Sequence, residues 1–163
     1  MSWENLFKDL RIGRIAKAYP LTYLDIGTRG GFQGDLSALA FATHAIGFEP
    51  EPNEFACLSN AGPGPWASRR ILPFAISPAG GSAMLHLSND RNGASLLSPL
   101  SAVGERFNKT QFFDLERTLE VETRTLNAAL EAAEIDAIDY LKIDIEGAEL
   151  GVFEASPAVL ADT

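Results

Sequence analysis

Short apolar runs alternate with glycine-, proline- or alanine-rich stretches along most of this chain. Residues 21–27, "LTYLDIG", predict a strand running into the glycine-rich turn 27–34, "GTRGGFQG". Residues 35–44 have helical composition, and 45–52, "AIGFEPEP", read as a second strand stopped by two prolines that cannot continue a ladder. Residues 52–60 suit a short helix with Pro52 in its first turn, and 61–68 form a loop by their Gly and Pro content. A third strand is expected over 69–77, "RRILPFAIS", and an alternating one over 82–88, "SAMLHLS". Residues 89–111 are loop-like and carry no clear period. Alternation returns over 119–126, followed by an alanine-rich helix over 127–135 and a strand over 138–145, "IDYLKIDI".

The order β-α-β-α-β, a hairpin-like excursion, then β-α-β predicts an α/β fold with a mostly parallel sheet flanked by helices. Residues 1–20 read as an amphipathic helix ahead of it, with Leu6, Leu10 and Ile15 roughly on one side. That divides the chain into a helix, 1–20, and one domain, 21–163. If the sheet is doubly wound, no sequence is left for its last strands, so either the fold is small or the chain is C-terminally truncated.

Composition narrows the partners. The chain has 163 residues, 46% hydrophobic and 21% charged, which suits one core better than two. A net charge of −9 argues against nucleic acid, because binding a phosphate backbone needs a basic surface. Cys57 is the only cysteine, so an intrachain disulfide and a thiolate zinc cluster are both excluded. There is neither a signal-peptide core at the N-terminus nor an apolar run long enough to span a bilayer, and a cytoplasmic location is expected.

The candidate chemistry begins at the first turn. In open α/β sheets ligands sit beyond the carboxyl ends of the strands. Gly27, Gly30 and Gly31 follow strand one, where glycine permits positive φ and a close backbone approach. Glu49 closes strand two, where an acid can accept hydrogen bonds from both hydroxyls of a ribose. The pair points to an adenosine-containing cofactor. The turn lacks the G-x-G-x-x-G of a pyrophosphate site, and Asp25 would repel a diphosphate yet attract an ammonium group. S-adenosyl-L-methionine has the ammonium and the ribose without the phosphates, and is favoured over NAD. The alternatives are an NAD(P)-dependent oxidoreductase using the same crevice, a non-catalytic truncated domain that binds a cofactor or a partner, or, most simply, a plain turn beside a solvated strand end.

At the other end of the domain, "LKIDIEGAEL" places Lys142, Asp144, Glu146 and Glu149 where a buried strand should finish. Alternation puts Tyr140, Lys142 and Asp144 on one face, where charges must be paired or close to the open end. The plain structural alternative is a Lys142–Asp144 salt bridge, but a carboxylate at the end of this strand is well placed for substrate and a functional role is preferred for Asp144; Glu149 reads as a helix-start acid. Asp144 or Glu146 could orient or deprotonate an acceptor hydroxyl, and Lys142 could do so if burial lowered its pKa. Paired carboxylates can hold Mg²⁺, but nothing demands a metal. His44, His86 and Cys57 read as structural residues; Asn92 and Ser95 either line a substrate entrance or form a turn.

Taken in order, "YLDIGTRGG", "GFEPEPNEF", "FAISPAGGSAMLHLS", "NGASLL" and "TRTLNAALEAAEIDAIDYLKIDIEGAEL" resemble the FkbM-type S-adenosylmethionine-dependent methyltransferases over residues 23–154. The resemblance implies a Rossmann-like class I methyltransferase fold and O-methylation of a small-molecule or saccharide acceptor. It implies that Asp25, Gly27 and Gly31 flank the methionine part of the cofactor, with Thr28 in the same turn. Glu49 would hold the ribose and Pro50 would shape the turn beside it. Ala75, Ile76 and Ser77 would line the adenine pocket, and Lys142, Asp144 and Glu146 would stand at the mouth of the site. Two features depart from the family pattern: Thr28-Arg29 replaces small or amide residues, and Asn127 stands where aspartate is frequent.

Overall fold

The computed structural model describes residues 8–90, 93–161 and 163. Its elements begin with helix α1 (Arg11–Ala18), strand β1 (Leu21–Ile26), a 3₁₀ helix (Gly34–Ala42), β2 (Thr43–Phe48), α2 (Pro52–Asn60) and β3 (Ser68–Leu72). Then come β4 (Ala75–Ile76), β5 (Gly81–Ser88), β6 (Ala94–Ser95), α3 (Ser101–Phe107), α4 (Thr110–Phe113) and β7 (Leu115–Arg124). The last are α5 (Leu126–Ala133), β8 (Tyr140–Ile143), α6 (Glu149–Ala155) and α7 (Pro157–Ala161).

The described residues form an α/β structure with two four-stranded sheets. The first has the order β3-β2-β1-β8, and every neighbouring pair in it is parallel. Strand β1 is its pivot: Tyr23, Leu24, Asp25 and Ile26 are all buried, as an inner parallel strand covered on both faces requires. The chain steps outward from β1 through β2 to β3 and later returns to the other flank of β1 as β8. That reversal puts a crevice beyond the carboxyl ends of β1 and β8.

Residues 69–77 are not one strand but two. The ladder of β3 stops at Leu72, before Pro73, which has no N–H to donate. The chain then enters the second sheet as β4, parallel to β7, while β5 runs antiparallel to both β7 and β6. Three other expectations change. Of residues 35–44, 35–42 lie in a 3₁₀ rather than an α-helix, with non-helical backbone at Leu36, and Thr43 and His44 open β2. Residues 89–111, which have no readable period, contain β6 and α3. Strand β8 is shorter than the expected 138–145, since Asp144 N–H donates to the Ile26 carbonyl at 2.9 Å and no ladder pair follows it. Of the amphipathic face expected over 1–20, Leu6 lies outside the described residues, and Leu10 and Ile15 are about half exposed.

Two cores hold these layers. Leu24, Ile26, Ile46 and Phe48 on the first sheet pack against Phe74, Ile76, Leu126, Ala129, Ile138 and Val152. Ala75, Leu85, Leu87 and Val121 form a smaller cluster on the second. The other face of the first sheet is covered by rings, with Tyr23 lying 5.4–5.7 Å from Phe32, Trp66 and Tyr140. Polar ties join the parts: Arg70 donates to the carbonyls of Ala132 and Ala133, closing the C-terminus of α5. Among the described residues no helix is long and apolar enough to cross a membrane.

Candidate functional site

At the crevice lies a cavity of about 280 Å³, walled by Gly27, Arg29 and Gln33 after β1, Phe48, Glu49 and Pro50 after β2, and Lys142, Asp144, Ile145 and Glu146 after β8. Ala75, Ile76, Leu85 and Leu96 close it on the side of the second sheet. Its volume is close to the lower end of small-ligand sites.

The glycine turn is shaped by two constraints. Gly27 has φ +88°, and a Cβ there would collide with the carbonyl oxygen of Asp144. Glycine is therefore needed both for the conformation and for the approach of β8 to β1. Thr28 points inward instead of toward the cavity: its hydroxyl donates to the Asp25 carbonyl at 2.8 Å and accepts from Phe48 N–H at 2.9 Å. It locks β1 to β2. The turn is also held by Gly31 N–H to the Thr28 carbonyl at 2.7 Å and by Gly30 N–H to Glu54 at 3.0 Å.

Asp25 and Lys142 are register partners on β1 and β8, so their side chains leave the same face. Lys142 Nζ stands 3.0 Å from Asp25 Oδ1, 3.7 Å from Asp144 Oδ2 and 3.2 Å from the Gly27 carbonyl. The Lys142–Asp144 pair, the structural alternative read from the sequence, is thus the longer of two, and the shorter joins Lys142 to a fully buried acid. Tyr23 also donates to Asp25 at 3.2 Å. Burial pushes the Asp25 carboxyl up to about 6 against the opposing pull of Lys142 and Tyr23. The Asp25 side chain lies behind Lys142, not on the cavity wall.

Glu49 is buried at the end of β2, and its Oε1 accepts from Glu51 N–H at 2.8 Å. Glu49 stands on the cavity wall beside Arg29. Burial raises its carboxyl to about 7, opposed by the Glu51 N–H and by the Arg29 guanidinium. Glu51 is also buried but its carboxylate has three partners: it caps α2 through Glu54 N–H at 2.7 Å, and it accepts from Asn53 and Arg117 at 3.1 and 3.0 Å. Burial acts to raise its pKa, but those hydrogen bonds and the Arg117 charge leave it below the usual value. Two neighbouring acids are therefore opposite in character, one fully engaged and one on the cavity wall.

The residues after β8 form a strained turn. Glu146 and Gly147 have φ +58° and +111°. Glu149 holds them, its two carboxylate oxygens accepting from Ile145 N–H and Gly147 N–H at 2.9 Å each. Ser95 donates to the Glu146 carbonyl at 2.9 Å. Glu146 precedes α6, which begins at Glu149. Its carboxyl is raised by burial and then by the charges of Asp144, Glu149 and Asp90.

Of the residues singled out in the sequence, Gly27, Glu49, Pro50, Ala75, Ile76, Lys142, Asp144 and Glu146 line the cavity. Asp25, Thr28, Gly31 and Ser77 do not: Ser77 turns away to bond Thr123 and Gly80 at 3.0 Å each. Ser95 is on the wall, while Asn92 lies outside the described residues. Phe48, Gln33 and the apolar wall from Leu85 to Leu96 carry no local motif; only the pairing of the two sheets brings them here.

A family model described as "Methyltransferase FkbM domain" matches residues 25–162. The "2-O-methyltransferase NoeI" of Sinorhizobium fredii (strain NBRC 101917 / NGR234) is 29% identical over 120 residues, which cover 71% of this chain and 49% of that protein. The chain thus spans about half the length of the curated relative it matches. No solved structure matches the chain significantly.

Proposed function

The chain belongs to the FkbM methyltransferase family, and from that premise we propose that it transfers a methyl group from S-adenosyl-L-methionine to a hydroxyl oxygen of a small-molecule or saccharide acceptor. The observation that carries the reading is Glu49: a buried carboxylate on the cavity wall at the end of β2, with one oxygen engaged by the Glu51 N–H. An acceptor of that kind suits a ribose diol. The aromatic and aliphatic wall of Phe48, Ala75, Ile76 and Leu85 suits a flat adenine ring. The turn at Gly27 lacks the G-x-G-x-x-G spacing of a pyrophosphate cradle, and the carboxylates of Glu49, Asp144 and Glu146 on the lining would repel a diphosphate. The name of the 2-O-methyltransferase relative supports oxygen as the accepting atom.

In this reading the domain, residues 21–163, has a Rossmann-like class I arrangement, preceded by the segment 1–20. Its strand order β3-β2-β1-β8 supports that arrangement. Glu49 and Pro50 hold the ribose side, and Gly27 brings its backbone against the methionine side. Asp25, Thr28, Gly31 and Ser77 act behind the wall, fixing the strands and turns that present those groups. Lys142 is held by Asp25, Asp144 and the Gly27 carbonyl, so we assign it to positioning. When bound, the cofactor would supply a sulfonium methyl as electrophile, and a carboxylate of this chain would take the proton of the accepting hydroxyl. Glu146 is the better base, because burial and neighbouring acids raise its proton affinity, while Asp144 is half exposed and shares Lys142. A cytoplasmic location belongs to the same proposal.

Calorimetric titration with S-adenosylhomocysteine, with NADH alongside, tests it. Micromolar binding of the first alone is expected. Binding of NADH alone, or of neither, would overturn the cofactor assignment.

A further inference from the structure

A second cavity, of about 460 Å³, opens beside the first. Ala94, Ser95 and Glu146 line both, so the two spaces meet across strand β6 and the turn after β8. Its far side comes from residues 97–115, the stretch whose sequence shows no period. That stretch is a built wall. Gly104 of α3 is buried against Phe113 of α4, where a Cβ would lie 3.0 Å from the Phe113 Cβ, and Lys109 N–H donates to the Gly104 carbonyl at 2.8 Å. Asn89 N–H to the Asp114 carbonyl at 3.0 Å and Asp90 N–H to that of Gln111 at 3.2 Å fasten the pair to the end of β5.

The polarity of this cavity is graded. At the shared wall stand the Ser95 hydroxyl and the Glu146 carboxylate. Away from it His86, Ser88, Ser98 and Lys109 are interspersed with a larger apolar surface, in which Leu97, Leu100, Phe112 and Leu115 remain 51%, 66%, 43% and 48% exposed. Leu97 lies over Gly147, next to Glu146, where a Cβ on the glycine would be 3.2 Å from the leucine Cδ1. Large side chains left open around one hollow are stabilised when an apolar body covers them. The polar end, by contrast, adjoins the cavity assigned to the methyl donor.

We propose that this second cavity is the acceptor site and that the acceptor is an amphipathic alcohol, with its hydroxyl at Ser95 and Glu146 and an alkyl or aromatic body against Leu97, Leu100 and Phe112. The assignment as acceptor site rests on the cofactor reading above. A free sugar would leave the apolar wall uncovered; a sugar or other alcohol carrying a hydrophobic substituent covers it. Glu146 then faces both ligands, which is where a proton acceptor for the hydroxyl has to be.

Octyl and methyl β-D-glucoside present the same hydroxyls with and without a tail. Each is titrated calorimetrically into the protein with S-adenosylhomocysteine present, the octyl form below its micelle concentration. The octyl form should bind at least about tenfold more tightly, the worth of a partly buried tail. Phe112→Ala should weaken it by about fivefold and leave S-adenosylhomocysteine affinity unchanged, as should Leu100→Ser if the first variant does not fold. Leu150→Ala, at an exposed position on α6 away from the cavity, should change neither. Equal affinity for the two glucosides overturns the inference, as does tail binding that survives Phe112→Ala or falls equally in Leu150→Ala. A wild-type protein that does not bind S-adenosylhomocysteine overturns the cofactor reading instead, and the acceptor role with it.

Discussion

Lys142 and Asp25 are 117 residues apart in the chain and 3.0 Å apart across two parallel strands, at register positions that face each other. Asp25 is fully buried, and the lysine side chain covering it is 13% exposed. The pair therefore acts as a clasp between β1 and β8, whose ends carry the candidate site.

Removing one half of that clasp leaves a buried charge uncompensated. Lys142→Met should destabilise the fold by about 3–5 kcal/mol in urea titrations, and Asp25→Asn introduced with it should recover most of the loss. A single variant that unfolds at the wild-type midpoint would show that the pair is not what joins the strands.

Glu49→Ala should lower S-adenosylhomocysteine affinity by about 1.5–3 kcal/mol, the worth of hydrogen bonds to a charged acceptor, with the fold retained. Calorimetry on the folded variant reads this directly. An unchanged dissociation constant would remove Glu49 from the site.

The pH dependence follows from the same acid. The Glu49 carboxyl lies at about 7 in the folded chain against 4.5 for the free side chain, so the folded state holds the proton more tightly than the unfolded. Stability from this source is fully present below 4.5 and is lost as pH rises through about 7. Asp25 acts in the same sense between 3.8 and about 6. Ribose hydroxyls that donate to Glu49 favour its ionised form, so ligand affinity should rise from pH 6 to pH 8 with release of a proton. Thermal midpoints and calorimetry in buffers of different ionisation enthalpy check the two trends. In Glu49→Gln both should flatten, the stability trend retaining only the Asp25 part.

Gly27 and Gly30 both have positive φ but differ in surroundings. A side chain at Gly27 meets the Asp144 carbonyl, whereas nothing lies within 4 Å of one at Gly30. Gly30→Ala should cost only the conformational strain, about 1–2 kcal/mol, by denaturant titration. Gly27→Ala should cost more than that and also abolish cofactor binding, since the end of β8 has to move. Equal effects of the two substitutions would refute the close approach.

Glu149 accepts two backbone N–H groups from the turn that carries Glu146. Glu149→Ala leaves both without that acceptor and should destabilise by about 1–3 kcal/mol. Hydrogen exchange at Ile145 and Gly147 should quicken while that of β1 does not. Unchanged protection at those amides would contradict the role.

Much of this protein was legible in its residues because the relevant rules are local. Apolar runs bounded by glycine or proline mark β1 and β2, a proline in the first turn marks α2, and an acid closing β2 marks Glu49. Their meaning depends on neighbours within a turn or a strand. Tertiary structure decided what lies across chain distance. Alternation alone pairs Lys142 with Asp144; the register of β1 with β8 turns it to Asp25. The turn motif alone offers Thr28 to a ligand; the approach of β2 turns its hydroxyl inward to Phe48. Pro73 splits one apolar run between two sheets, and that split carries Ala75 and Ile76 to the cavity while Ser77 bonds to β7. Local pattern determines which segments are strands and helices, because propensity and burial period act over a few residues. Which side chains meet at a site is determined by strand order and register, which arise only when the whole sheet closes.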